Sequence, residues 1–314
     1  MITVLCANAG IDKTFEVEGY RVGGFHHPKR VRTAPGGKGI NVARVLRALE
    51  CEVAVTGFAG GYPAQFIATF LRREGVGLDF VRIAEDSRLC TNVIDTVRKS
   101  QTRLDELGPL VTPTEIEHLK RKWDQLLQGS KLAIISGSVP RGVPYDLYAE
   151  LILIARQRRV PTMLDAHDEM LREAVAAGPT IMKPNLAELS ALFGRTLSVP
   201  GGVLEASREL VRRGVQMILC SLGADGAIAV TKDHGEWRAM APKVEAVSAV
   251  GSGDAMVAGF AAAFSSRRKV TECIQWAVAA GTACAATFGA GFATMAEVEA
   301  LVPQVEVEPV VAGS

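Results

Sequence analysis

Residues 132–164 read LAIISGSVPRGVPYDLYAELILIARQRRVPTML, and this stretch decides the fold class. Leu132-Ala133-Ile134-Ile135 is a short apolar run, residues 146–158 carry a helical pattern, and Thr162-Met163-Leu164 is a second apolar run. Short runs buried on both faces and separated by helices are the signature of a parallel sheet with helical crossovers. The alternation extends outward on both sides. Ile2-Thr3-Val4-Leu5 and Val53-Ala54-Val55 lie upstream; Gln216-Met217-Ile218-Leu219 and Ala227-Ile228-Ala229-Val230 lie downstream. Helical patterns cover residues 40–49, 114–127, 186–192, 204–212 and 255–264. In the first, Ile40, Ala43 and Leu46 share one face while Arg44 and Arg47 point elsewhere. The class is α/β. Open sheets of this kind bind ligands beyond the carboxyl ends of their strands, so the loops there are where chemistry belongs.

Composition narrows the functions. The chain has 314 residues, which at roughly 150 per domain makes about two units, or one large α/β domain with an appendage. A formal net charge of +1 leaves no general basic field, which argues against a nucleic acid polymer or an anionic membrane as partner. Hydrophobic residues at 48% and charged residues at 22% are those of a globular chain, neither disordered nor fibrous. Cys6, Cys51, Cys90, Cys220, Cys273 and Cys284 form no C-x-x-C pair and read as reduced, mostly buried thiols. The apolar N-terminal run breaks at Asn8 with no basic residues before it, so no targeting signal is read and the cytoplasm is expected. Residues 273–296 are uncharged but interrupted by Gln275, threonines and glycines; they read as a core helix with a following loop, not a membrane span. Two stretches, 12–32 and 88–99, break the alternation. Phe15-Glu16-Val17-Glu18 alternates as a half-buried strand does, so the two stretches suggest a small extra sheet built from separate insertions. Residues 303–314 read as a loose tail. The five histidines lack metal-ligand spacing, and Trp123, Trp237 and Trp276 read as packing residues.

Glycine clusters mark the candidate site. Val250-Gly251-Ser252-Gly253-Asp254 precedes a small-residue helical run, and glycines opening a helix leave backbone N–H groups that, with the helix dipole, form an anion hole. Asp254 either takes a proton from an attacking hydroxyl there or only caps the helix. Pro35-Gly36-Gly37-Lys38-Gly39-Ile40-Asn41 opens another helix with a cation and an amide suited to an anionic or polyhydroxyl ligand; the alternative is a tight turn with a solvated lysine. Neither run is a Walker A loop or a Rossmann fingerprint. Lys183-Pro184-Asn185-Leu186-Ala187-Glu188 puts Asn185 and Glu188 on one helix face, either as oxygen ligands around magnesium or as a capping box. Ser221-Leu222-Gly223-Ala224-Asp225-Gly226 reads as a strand-end turn and hairpin, with or without phosphate contact. Ser136-Gly137-Ser138 offers hydroxyls at a strand's carboxyl end.

In this order, with Asn8-Ala9-Gly10-Ile11-Asp12-Lys13-Thr14 and Gly57-Phe58-Ala59-Gly60-Gly61, these motifs resemble the ribokinase-like carbohydrate kinases, or phosphofructokinase B family. The resemblance runs over residues 2–302 and is greatest to the 1-phosphofructokinase and tagatose-6-phosphate kinase branch. It implies one ribokinase-like domain over 1–314, a three-layer α/β/α sandwich with a small β-sheet lid formed by insertions at about 12–34 and 87–110. It leaves open a homodimer formed through the lid. The implied reaction is ATP-dependent phosphorylation of a ketohexose monophosphate, fructose 1-phosphate before tagatose 6-phosphate, with Mg2+. The alternatives are a kinase of an unphosphorylated sugar or nucleoside, and a catalytically weak sugar-phosphate sensor.

Carried over by position, Asp254 resembles the general base, and the backbone of Gly251, Ser252 and Gly253 the anion hole. Asp12, Gly37, Lys38, Asn41, Arg88 and Ser138 match substrate positions, with Lys38 and Arg88 as the cations for the sugar's own phosphate. Lys183, Ser221, Gly223 and Gly226 match nucleotide positions, and Asn185 and Glu188 the segment that organises magnesium through water. Departures are specific. Ala9 and Gly10 replace Pro and Ala, Arg103 and Asp105 replace Glu and Asn, Ser252 replaces Ala, and Ala249 replaces Thr.

Overall fold

The computed structural model describes residues 1–287 and 292–310. The strands are β1 Ile2–Cys6, β2 Gly10–Val17, β3 Arg30–Gly36, β4 Val53–Ala59, β5 Gly77–Leu78, β6 Val81–Arg82, β7 Arg88–Asp95 and β8 Ser100–Asp105, followed by β9 Leu132–Ser136, β10 Thr162–Asp165, β11 Ile181–Met182, β12 Met217–Ser221, β13 Ala227–Thr231, β14 Glu236–Met240 and β15 Glu306–Pro309. The helices are α1 Lys38–Ala48, α2 Gly61–Arg73, α3 Pro113–Leu126, α4 Leu147–Gln157, α5 Asp168–Ala176, α6 Leu186–Leu192, α7 Gly201–Arg212, α8 Ser252–Ser265, α9 Val270–Ala285 and α10 Met295–Leu301.

The main sheet runs β15-β14-β13-β12-β11-β10-β9-β1-β4-β5, with β6 also paired to β4. It is parallel from β12 to β5 and turns antiparallel at β13, β14 and β15. Because successive side chains on a strand point to opposite faces, the apolar runs feed two cores at once. Ile2, Val4, Leu132, Ile134 and Leu219 pack on one side with α1, α8 and α9; Leu5, Ala133, Ile135, Ile218 and Cys220 pack on the other with α3, α4 and α7. The result is three layers. Helix α8 lies close against α9, and a Cβ on Gly259 would sit 2.4 Å from the Trp276 carbonyl oxygen, so only glycine permits that approach.

A second sheet, ordered β3-β2-β7-β8, arises from the two stretches that break the alternation. Trp123 is fully buried, and its Nε1–H donates to Leu151 O at 3.1 Å. Trp276 is buried as well, and Trp237 is half-buried with its indole N–H on His234 O. Five of the cysteines are buried, Cys51 is half-buried, and all are free thiols.

Three readings change, one being that α8 starts at Ser252 instead of residue 255, after Gly251 in a left-handed conformation. The segment expected to be a loose tail holds a strand: β15 pairs antiparallel with β14, and Val305 beneath it is buried, because an open sheet edge offers unpaired backbone groups to a strand with one apolar face. Residues 311–314 lie outside the described residues. Helix α7 starts at Gly201 instead of residue 204, since the Ser198 hydroxyl accepts from the Gly202 N–H at 3.1 Å and stabilises the first turn. The core helix within 273–296 is α9, while residues 288–291 of the loop lie outside the described residues. Among the described residues no helix is long and apolar enough to cross a membrane.

Trp123→Ala should destabilise the protein by roughly 3–5 kcal/mol, the range for deleting a large buried aromatic. Urea denaturation followed by far-ultraviolet circular dichroism measures it; a midpoint equal to that of the parent chain contradicts the packing role.

Candidate active site

Parallel strands send their carboxyl ends to one side of the sheet, and there the chain leaves a cavity of about 1150 Å³. The loops after β1, β9, β10, β11 and β12 form its floor, the starts of α1 and α8 one wall, and the second sheet its roof. Asp12, Gly37, Lys38, Asn41, Arg88, Ser138, Lys183, Asn185, Glu188, Ser221, Gly223, Gly226, Gly251, Ser252, Gly253 and Asp254 all line it. Residues far apart in sequence are thus brought to one space.

At the wall, Gly251 precedes α8 with φ 85°, a left-handed conformation that favours glycine. The first intrahelical bond runs from Ala255 N–H to Gly251 O (2.9 Å), and Ser252 N–H turns back to Ala249 O (3.3 Å). The amides of Gly253 and Asp254 come before that first bond. Of the three residues expected to form the anion hole, Ser252 therefore has its N–H engaged locally, and its buried hydroxyl has no hydrogen-bond partner among the described residues.

Asp254 is buried, and Asn41 Nδ2 donates to its Oδ2 at 2.8 Å. Burial, with the Asp165 charge adding to it, raises the Asp254 pKa from 3.8 to about 7, against the lowering effect of Asn41, Lys38 and Lys183. Asp254 is thus not the only carboxylate at this wall. Asp165, at the end of β10, is buried and forms an ion pair with Lys183 (3.1 Å) and a longer one with Lys38 (3.7 Å), while Ser136 Oγ donates to it at 3.2 Å. Burial opposes ionisation of Asp165, but the two lysines outweigh it and hold its pKa below the ordinary value. Lys38 also faces Glu188 at 3.8 Å; burial disfavours its charge, yet Asp165, Glu188 and Asp254 raise its pKa.

Asn185 and Glu188 form a complete capping box: Glu188 N–H donates to Asn185 Oδ1 (2.8 Å) and Asn185 N–H to Glu188 Oε2 (2.9 Å). Glu188 Oε1, directed at Lys38, is the oxygen this cap leaves over. Among the described residues no group of three or more His, Cys, Asp or Glu side chains could hold a metal ion. Ser221 begins the turn into the β12–β13 hairpin, which contains Gly223 and Gly226.

The roof is charged. Asp12 has its pKa raised by burial, opposed by Arg103 and then Arg88. Arg88 Nε donates to Asn8 O at 3.2 Å. Buried Asn8 in turn directs Nδ2 at Leu107 O (3.4 Å), Ser138 Oγ (3.3 Å) and Val139 O (3.5 Å), joining roof to floor. Tyr148 Oη donates to Gly137 O at 3.1 Å beneath the same loop. Cys6 also borders the cavity, but burial pushes its thiol up to about 11, so it packs as a neutral group.

Asp165, His167, Arg103 and Asp105 line the cavity without having been singled out as site residues. A signal existed for three of them. Asp165 is a charge that ends an apolar strand at its carboxyl end, and Arg103 and Asp105 stand two apart on a strand, hence on one face.

Three layers, with a second sheet over the carboxyl ends of the main sheet's strands and a buried carboxylate at a helix start beneath it, make up the ribokinase-like fold. Residues 7–296 match the pfkB family carbohydrate kinases, and the chain belongs to that family. Two relatives named 1-phosphofructokinase are similar to it: that of Bacillus subtilis (strain 168) is 30% identical over 98% of this chain and 99% of its own, and that of Borreliella burgdorferi 33% identical over 91% and 92%. Phosphofructokinase-2 from Escherichia coli in complex with fructose-6-phosphate is similar in structure, with TM-score 0.89, 26% identity, and coverage of 97% of this chain and 98% of that one.

Folding raises the Asp254 pKa from 3.8 to about 7, so the folded protein binds that proton more tightly. The stability this group contributes is fully present below the unfolded value and is lost as pH rises through the folded one. Asp254→Asn should therefore melt at a higher temperature than the parent at pH 8, with the gap closing toward pH 4. Thermal melts across that range check it; a parent more stable than the variant at pH 8 contradicts the burial penalty.

Proposed function

We propose that the chain transfers the terminal phosphoryl group of ATP to a primary hydroxyl of a ketohexose monophosphate, fructose 1-phosphate before tagatose 6-phosphate. The observation that carries this reading is a buried carboxylate, Asp254, held by Asn41 at 2.8 Å at the start of α8, where burial pushes its pKa up to about 7. A general base works best with a pKa near the operating pH. At about 1150 Å³ the cavity exceeds the roughly 300–1000 Å³ usual for one small ligand, which supports two ligands end to end.

Asp254 accepts the proton of the attacking hydroxyl as its oxygen meets the terminal phosphorus. Asn41 holds the receiving carboxylate in place. The amides at the start of α8, with the helix dipole, receive the charge that develops on the transferring group. Lys38 and Lys183 add positive charge at mid-cavity, with Asp165 fixing both. Asp12 accepts sugar hydroxyls, Lys38 and Arg88 bind the phosphate already on the substrate, and Ser138 faces the same end. Ser221, Gly223 and Gly226 flank the nucleotide. The single carboxylate oxygen left by the Glu188 cap suits a magnesium ion held mainly by phosphates and water. When bound, that ion neutralises nucleotide phosphate charge.

We also infer a homodimer formed through the roof sheet, whose outward face exposes Val31, Leu89 and Leu104. Sedimentation should give a dimer that Val31→Asp shifts toward monomer; a monomeric parent chain rules this out.

Asp254→Asn should reduce turnover by roughly 10²–10⁴. Truncating Lys38 or Arg88 should weaken phosphosugar binding by about 1.5–3 kcal/mol, as for a charged hydrogen bond. ADP release over a panel of sugars and sugar phosphates tests the whole reading. Equal efficiency with fructose and its 1-phosphate would exclude the phosphosugar assignment, and unchanged turnover in Asp254→Asn would exclude the base.

A further inference from the structure

We propose that Arg103 selects for a phosphorylated sugar, taking the substrate's phosphate on the free edge of a guanidinium that Asp105 holds in position. The proposal rests on the phosphosugar kinase reading and adds a residue to it.

Strand β8 pairs antiparallel with β7, placing Arg103 opposite Asn92 and Asp105 opposite Cys90. Cys90 is in turn paired with Asp12 on β2. Cross-strand partners share a face, so Asp12, Asp105 and Arg103 stand on one side of the sheet, and all three line the cavity. Arg103 Nη2 donates to Asp105 Oδ2 (3.0 Å) and Oδ1 (3.3 Å). One nitrogen of the guanidinium thus serves both carboxylate oxygens, and among the described residues no hydrogen bond is made by Nε or Nη1. The side chain is half exposed and lines the cavity, so these nitrogens are accessible to a ligand.

Stability does not account for the pair. An exposed ion pair contributes roughly 0–1 kcal/mol, too little to explain a charged couple turned into a ligand cavity. The charge balance of the roof does account for it. Asp12 and Asp105 alone would repel a phosphate dianion, and Arg88 has its Nε committed to Asn8 O. Arg103 offsets the second carboxylate and brings a planar fork matched to two phosphate oxygens. Asp12 and Asp105 then remain as acceptors for sugar hydroxyls. A polyol with a phosphate at one end fits such a surface better than a neutral polyol does.

The test uses the full chain with Arg103→Gln and Arg103→Lys, fructose 1-phosphate and fructose as acceptors, and calorimetric titration of fructose 1-phosphate without nucleotide. Arg103→Gln should raise KM and Kd for the phosphosugar by roughly tenfold or more, with the loss in KM and not in kcat, and should lower the preference for phosphosugar over free sugar by a similar factor. Arg103→Lys should restore only part, because it keeps the charge and loses the fork. Circular dichroism melts check that both variants fold. Unchanged phosphosugar KM and Kd in Arg103→Gln overturns the proposal, and Lys38→Ala or Arg88→Ala still raising them would show that the phosphosugar reading itself survives. A parent chain that prefers the free sugar overturns both.

Discussion

The site depends on keeping one carboxylate, Asp254, away from water while leaving it able to hold a proton. Ionising a buried carboxylate is unfavourable, and Asp165 nearby makes it more so; Asn41, Lys38 and Lys183 work in the opposite direction. The balance falls near neutrality instead of at either extreme. That outcome needs α8 to begin where it does, which needs α8 packed on α9 without a side chain at position 259. A packing constraint in this alanine-rich part of the core therefore positions the carboxylate at the helix start.

Around Asp254 the charges form a connected set. Asp165 joins Lys183 on one side and Lys38 on the other, and Lys38 reaches Glu188, whose second oxygen caps α6. Two strand ends and two helix starts meet in that set. Asp165 is stabilised as an anion by the cations that lower the Asp254 pKa, so removing either lysine would disturb both carboxylates together.

Much of the fold was legible because it follows from periodicity. Apolar runs such as 132–135 and 217–220 could only be strands buried on both faces, and the helical patterns between them fixed the alternation. Glycine clusters located the cavity, since glycines before a helix signal exposed backbone donors. The two-residue strand β11 and the strand β15 were not legible, because each is defined by the neighbour it pairs with and not by a pattern of its own. For the same reason Asp165 escaped notice. A single acid ending an apolar strand marks the strand's carboxyl end but carries no spacing that pairs it with Lys183; only the fold brings the two together. Asn185 and Glu188 carried a double reading that sequence could not divide, and the structure gives the cap to one carboxylate oxygen and leaves the other facing Lys38.

Asn8 gives the molecule a fulcrum. It sits two residues before β2 and so at the root of the roof, and its amide reaches Leu107 O of the second insertion as well as Ser138 and Val139 of the floor. Any swing of the roof pulls on those three contacts at once. One amide thus ties the loop after β9 and the sheet above it to a common position, and neither can be displaced without breaking contacts made to the other.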